Sequence, residues 1–519
     1  MPESRKGADG AEYPPLHGAA LLFLTAAIAT ASFMEILDMT IVNVSIPAIA
    51  GSLGVSPSEG TWVVSSYMLA AAFMQPLTGW IGRRFGEVRT FVTSVVLFMV
   101  FSAVCGLATS LPMLVAARLM QGFVSGPMMS LAQAILLRNY PIERRGMAIA
   151  LWAMVIIIAP ICGPILGGWI TDNLSWPWLF YINLPVGTFC AIACWGILRK
   201  RESRVVKSPI DLMGLLLLVV GVGSLQFMLD NGNDKDWFNS PVIITAAVVS
   251  VVSVAFLIPW ELTDEHPVVD LMLFRGRNFR VATIILSLGY FGFMGVNVLF
   301  PLWLQTNVGY TATDAGLAVA PVGLLALIMS PIVGRNMNRM NLRLAVCFAF
   351  LVFGLAVLWT STLNEQVSYT QFAMPRFLQG LGLAFFFLPL NAIMLSGIRA
   401  DQLASASGLS NFCRTMGGSI STAVTVWIWN RRTDFHHAIL TEHVRNTSGG
   451  WLHYRSQLDA LQISGVQAFS YVDHVIAQQA STLGVNDVFF AIGCLYFVLM
   501  PFVWFAKPPF TFKRGEGVH

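Results

Sequence analysis

The chain has 519 residues, of which 56% are hydrophobic and 11% charged, with a net charge of +4 and a mean hydropathy of +0.68. A soluble protein carries about 25% charged residues, so this composition excludes an ordinary soluble domain. The apolar residues come in runs near 20, the length that crosses a hydrocarbon core of about 30 Å, which predicts an all-α, multi-pass membrane protein with no nucleic-acid partner.

A short tail, 1–16, precedes the first apolar run. Arg5 and Lys6 lie before that run and Ala29-Thr30-Ala31 follows within it. The long leader with Glu3, Asp9 and Glu12, and a run that continues past the small residues, predict an uncut first span. Spans are expected at 17–41, 61–81, 91–110, 112–136, 147–170, 178–198, 211–230, 241–260, 280–303, 313–334, 344–362, 370–396, 405–429 and 485–506, fourteen in all.

The first span ends on Leu37-Asp38-Met39-Thr40-Ile41-Val42-Asn43-Val44-Ser45-Ile46-Pro47, with Glu35 just before it. A charged carboxylate at mid-bilayer costs about 2.5–3.5 kcal/mol on insertion scales, so such residues usually face a bundle interior or a watery path and carry function. Glu35 and Asp38, three apart, share a helix face. A dry site cannot easily hold both ionised, so the pair is expected to hold and release a proton.

Loop charge sets the orientation. One side receives 23 Lys and Arg, counting Arg5 and Lys6, whereas the short loops of the other side hold only Lys235. Both termini are therefore expected in the cytoplasm, and the alternation requires an even number of spans.

The chain also repeats itself. Val42-Asn43-Val44 and Pro47 recur as Val296-Asn297-Val298 and Pro301, 254 residues on. Pro76, Gly79 and Arg84 recur as Pro331, Gly334 and Arg339, 255 residues on. Arg118-Leu119-Met120-Gln121-Gly122 recurs as Arg376-Phe377-Leu378-Gln379-Gly380, 258 residues on. A nearly constant offset predicts two six-helix halves related by duplication, as in transporters built from repeats around a midplane site. The expected domains are a first bundle, 17–198; a linker, 199–278, holding spans 7 and 8 as an inserted hairpin; a second bundle, 279–506; and a tail, 507–519. Within the second bundle, residues 430–484 read as a long outward loop. Leu458, Leu461, Phe469, Val472 and Ile476 in it fall at helical spacing.

Several motifs carry chemistry. Gly79-Trp80-Ile81-Gly82-Arg83-Arg84-Phe85-Gly86 joins spans 2 and 3, where glycines permit a tight turn and close helix approach. Arg118 lies inside span 4 and needs carboxylates or carbonyls around it. Arg376 is its repeat mate, yet the position matching Asp38 is Gly292. The halves are thus chemically unequal, with proton work in the first. Span 5 holds Pro160, Gly163, Pro164, Gly167 and Gly168: a kink is expected at proline, and Gly163 and Gly167 make a small-x-x-x-small packing face. The seven cysteines lie in apolar segments without metal-ligand spacing, and His436, His437, His443, His453 and His474 match no ligand pattern, so neither disulfide nor metal site is expected.

The loop after span 2 resembles the signature of the major facilitator superfamily, with Arg83 where an Asp is usual and Glu87 at a usually basic position. Gly163-Pro164-x-x-Gly167-Gly168 resembles the antiporter motif of its drug exporters. Leu37-Asp38-x-Thr40-Ile41-Val42-Asn43-Val44-x-x-Pro47 resembles the span-1 signature of drug:proton antiporters. With Trp176-x-Trp178-x-Phe180-x-Ile182-Asn183-x-Pro185 and Trp504-Phe505-Ala506-Lys507-Pro508-Pro509, nearly the whole chain is similar to the 14-span antiporters of the EmrB type. The resemblance implies the major facilitator fold in a bacterial inner membrane, and export of hydrophobic drugs and amphiphiles. It further implies that Arg118 lines a central cavity close to span 1 with Asp38 or Glu35 as its partner, proton coupling through Asp38, Glu35 and Arg118, and a cavity touching Arg376, Gln121, Gln379, Asn43 and Asn297. Gly79, Arg83, Arg84, Gly86 and the span-5 glycines and prolines would serve conformational change. A periplasmic adaptor of the EmrA type and an outer-membrane channel would complete a tripartite pump. No G-x-x-x-x-G-K-[ST] occurs, so the proton gradient, with no cofactor, is the expected energy source, and no catalytic constellation suggests an enzyme. A proton-linked uptake transporter for a small metabolite and a non-transporting membrane sensor are the alternatives.

Overall fold

A computed structural model of the protein describes residues 14–510 except 43–44, 56–59, 61, 142–143, 204, 207–208, 210, 234, 265–266, 400–401 and 444–465. No strand occurs among the described residues. The helices, numbered in chain order, are α1 (Gly18–Ile41), the short α2 (Ile46–Leu53), α3 (Trp62–Phe85), α4 (Glu87–Gly106), α5 (Leu111–Asn139) and α6 (Arg145–Asn173). A single turn at Trp178–Tyr181 leads into α7 (Asn183–Leu198). Then come α8 (Leu212–Asn231), α9 (Pro241–Thr263), α10 (Arg277–Trp303), the short α11 (Ala312–Val319), α12 (Pro321–Asn336), α13 (Leu342–Thr360), α14 (Tyr369–Leu395), α15 (Leu403–His443) and α16 (Val466–Phe502). Ten helical stretches among the described residues are long and apolar enough to cross a membrane. The other four expected spans fall on α3, α5, α6 and α15.

Packing follows the sequence repeat. In the first half α3 packs on α5, α4 on α5, α1 on α6 and α7, and α4 on α7. In the second half α12 packs on α14, α13 on α14, α10 on α15 and α16, and α13 on α16. Helices α3 and α15, and α6 and α12, join the halves in matching fashion. The α8–α9 hairpin packs chiefly on itself, and α8 leans on α3 and α15. Asp211 starts α8 by accepting the amide of Gly214 at 2.8 Å and also receives Trp260 Nε1 from α9 at 2.9 Å, pinning the hairpin's two feet.

One expectation is corrected. Residues 430–484 are not a loop throughout: α15 continues without a break to His443 and α16 begins at Val466. At about 1.5 Å per residue, each of these helices is close to twice as long as a bilayer core is thick. They bind each other directly. Asp487 on α16 binds Arg432 Nε at 2.6 Å and His436 Nε2 at 2.7 Å, and Trp429 Nε1 donates to the Ser481 carbonyl at 2.9 Å. The sequence hid this because charged and aromatic residues interrupt the apolar run where the helix leaves the membrane. Leu458 and Leu461 lie outside the described residues.

Candidate functional site

The site is built where α1, α5 and α7 converge. Arg118 on α5 and Asp38 on α1 are both fully buried and meet at 2.5 Å through Nη1 and Oδ2. Two buried charges are tolerated when hydrogen bonds satisfy most of the atoms left over; of the Arg118 donors, Nη2 stays without a hydrogen-bond partner. Here Asn183 Nδ2 donates to Asp38 Oδ1 at 2.8 Å, and Gln121 Nε2 reaches the same oxygen at 3.3 Å. Arg118 Nη1 also donates to Gln121 Oε1 at 2.8 Å, and Arg118 Nε to the Val63 carbonyl of α3 at 3.0 Å. The guanidinium lies 4.2 Å from the centre of the Tyr67 ring, a cation–π contact. Ser102 completes the chain by accepting from Asn183 and donating to the Phe180 carbonyl. The i, i+3 spacing of Arg118 and Gln121 explains why both face α1.

Glu35, the other carboxylate expected to handle the proton, makes none of these hydrogen bonds, but the charge of Asp38 acts on it. It is buried, but its Oε2 has no hydrogen-bond partner. It lies within electrostatic reach of Arg414 on α15. Spacing placed the two carboxylates on one side of α1; the hydrogen bonds supplied by α5 and α7 go to Asp38. Arg414 rests near the rings of Tyr290 and Phe387 at 5.3 and 5.8 Å and donates to Met129 Sδ at 3.3 Å.

The repeat mate of Arg118 is arranged otherwise. Arg376 Nη1 donates to Gln379 Oε1 at 3.1 Å and Nη2 to the Val296 carbonyl at 3.3 Å, over the Phe300 ring at 4.0 Å. Asn297, half-buried, donates to the Phe293 carbonyl of its own helix. Asn43 lies outside the described residues.

The span-5 glycines pack directly behind the site. A β-carbon at Gly163 would stand 2.1 Å from Thr40 Oγ1, and one at Gly167 2.5 Å from the Ile41 carbonyl. Only glycine lets α6 press on the end of α1 that carries Asp38. Gly168 is half-buried. Helix α6 runs through Pro160 unbroken, so the expected kink does not interrupt it; the side chain of Pro164 lies outside the described residues.

The loop between α3 and α4 sits where the halves meet. Arg83 donates to Ser405 Oγ at 3.0 Å and feels Asp270; Arg84 is half-buried. Gly86, at φ +93°, has a backbone that L side chains rarely adopt, and a β-carbon there would meet Glu202 at 2.5 Å. Glu202 accepts the amides of Val88 and Arg89 at 2.9 Å each, satisfying the start of α4. Glu87 pairs with Arg138 at 2.9 Å.

Four hydrogen bonds join the two bundles in the arginine-rich half: Arg83 to Ser405, Gln133 to Asn391, Asn411 to Ser130 and Arg414 to Met129. Close approach repeats the pattern. A β-carbon at Gly408 would stand 2.5 Å from the Gln75 carbonyl, and one at Gly334 2.4 Å from Ala150 Cβ. The protein is thus closed at its arginine-rich end. Asn183, Arg414 and Glu202 are the participants that sequence reasoning passed over. Arg414 was findable as an arginine inside an apolar run.

The family model described as "Major Facilitator Superfamily" matches residues 28–422. The chain is 46% identical to "Multidrug export protein EmrB" of Haemophilus influenzae, covering 97% of this chain and 99% of that one. It is equally similar, at 46%, to the Escherichia coli K12 protein of the same name, over 97% and 98%. "Fatty acid resistance protein FarB" of Neisseria gonorrhoeae is 44% identical over 98% and 100%. Among solved structures, the crystal structure of the human organic anion transporter MFSD10 (TETRAN) aligns with a TM-score of 0.60 at 12% identity, covering 94% of this chain and 100% of that one; this likeness concerns the fold.

Proposed function

The chain belongs to the major facilitator superfamily and, within it, to the EmrB multidrug export proteins, and from that premise we propose that it exports hydrophobic and amphiphilic drugs by antiport against protons. The observation that carries the proton reading is the Asp38–Arg118 pair at 2.5 Å, buried and shared with Asn183 and Gln121. An ionisable pair inside a membrane bundle is a functional site by default. A proton arriving at Asp38 cancels the charge that holds Arg118, and the neutral acid keeps Asn183 as its donor. Arg118 then relies on the Val63 carbonyl, Gln121 and the Tyr67 ring. Those contacts tie it to α3, which packs on α15 of the second half, so loss of the pair is felt at the bundle boundary.

In this reading the arginine-rich end is cytoplasmic, both termini lie there, and fourteen spans cross the bacterial inner membrane. The conformer seen is closed toward the cytoplasm. Rocking one half against the other would break the Arg83, Gln133 and Asn411 bridges and open that side to drug. The long α15–α16 hairpin would stand in the periplasm, where an adaptor of the EmrA type would meet it and an outer-membrane channel would follow. The names of the relatives, drug export and fatty-acid resistance, support the class of substrate.

The test uses inside-out vesicles holding a proton gradient. Adding a hydrophobic dye should release lumenal protons from vesicles with the wild-type protein and not from vesicles with Asp38→Asn. Proton movement unaffected by that substitution removes Asp38 from the mechanism; none with any of several dyes removes antiport.

A further inference from the structure

The duplicated halves differ at one point. On α5, Arg118 and Gln121 have a carboxylate facing them from α1. On α14, Arg376 and Gln379 repeat the same i, i+3 pair, equally buried, but α10 presents Gly292 where α1 presents Asp38. Among the described residues Arg376 forms no ion pair. Its Nε and the Nε2 of Gln379 are buried donors without a hydrogen-bond partner. The hydroxyl of Tyr496 on α16 lies within electrostatic reach of the guanidinium but donates to the Gly289 carbonyl at 3.3 Å. Tyr496 fills the place beside Gly292: a β-carbon there would stand 2.9 Å from its Oη.

A buried cation with unmet donors and no counter-charge is costly, and an arginine fork with an amide beside it matches a carboxylate. Nothing in that set suits a cation. The surroundings are apolar and aromatic: Phe300 lies under the guanidinium, with Phe372 5.5 Å from it ring to ring. Arg376 comes two turns after α14 begins at Tyr369, about 10 Å in from that end.

We propose that Arg376 and Gln379 recognise the carboxylate of an anionic amphiphile, which takes in the second half the position Asp38 holds in the first. Tyr496 turns aside to admit it, and the hydrocarbon tail lies along Phe300 and Phe372. This rests on the export reading and narrows it to a substrate class.

The experiment measures binding of radiolabelled decanoate and decylamine to the full-length protein in zwitterionic nanodiscs, beside dye-driven proton release from vesicles. Arg376→Gln should weaken decanoate at least tenfold relative to decylamine, with Arg376→Lys between. Gly292→Asp with Tyr496→Leu supplies an internal carboxylate and the room for it, so it too should lower the decanoate-to-decylamine ratio at least tenfold. That second variant keeps Arg376 paired and decides the matter if Arg376→Gln fails to fold. An unchanged ratio in the paired variant, or equal weakening of both ligands throughout, overturns the proposal. Wild-type proton release with dyes alongside such a result leaves the export reading standing; loss of both brings it down as well.

Discussion

Gly79 lies directly against Ser405: a β-carbon on the glycine would stand 1.9 Å from the serine Oγ and 2.8 Å from its Cα. Backbone cannot yield by that much, so any larger residue holds α3 and α15 apart at the arginine-rich end. Gly79→Val should leave the protein inserted but slow closure. Cysteines replacing Ser130 and Asn411, whose side chains lie 3.1 Å apart, should cross-link readily in the parent. With Gly79→Val the rate should fall at least tenfold; an unchanged rate rules out this contact as the limit on closure.

Breaking the buried pair leaves one charge without its partner, at a cost of about 3–5 kcal/mol. Asp38→Asn and Arg118→Gln are each expected to lower the thermal midpoint of the purified protein by several degrees. The double variant, with no stranded charge, should recover at least half of the loss. Additive losses would mean that the pair does not couple the two residues.

Asn183 holds Asp38 Oδ1 at 2.8 Å, and Glu35 does not touch Asp38. Asn183→Ala should therefore impair dye-driven proton release several-fold, whereas Glu35→Gln should retain it. The reverse ranking, measured in the same vesicles, would return Glu35 to the proton site.

Asp270 lies outside the spanning helices. Burial holds its carboxyl above the ordinary value of 3.8, against the pull of Arg83. A carboxyl raised in the folded state is penalised when ionised, so it subtracts stability above its folded pKa and nothing below the ordinary value. Asp270→Asn should raise the thermal midpoint at pH 8 and lose that gain as the medium is acidified toward pH 4. A gain equal at both pH values would refute the assignment.

Much of this architecture is legible in the residues. The repeat offsets align Arg118 with Arg376 and Asp38 with Gly292, because duplication preserves packing while side chains diverge. Loop arginines mark the closed end. What escapes is direction. Glu35 and Asp38 share a helix face, but which neighbour each meets depends on how α5, α7 and α15 are set around α1, and spacing along one helix carries no such information. The helical hairpin beyond the membrane escapes because Arg431, Arg432, Asp434 and the histidines erase the apolar signal while the backbone continues unbroken.

The closed end also has an energetic meaning. Its four inter-bundle hydrogen bonds, one of them to sulfur, are together worth roughly 3–4 kcal/mol at about 1 kcal/mol each. A single elementary charge crossing 150 mV releases about 3.5 kcal/mol, at about 2.3 kcal/mol per 100 mV. The polar part of the seal is thus small on the scale of a membrane potential, so the closed end can part without any helix unfolding.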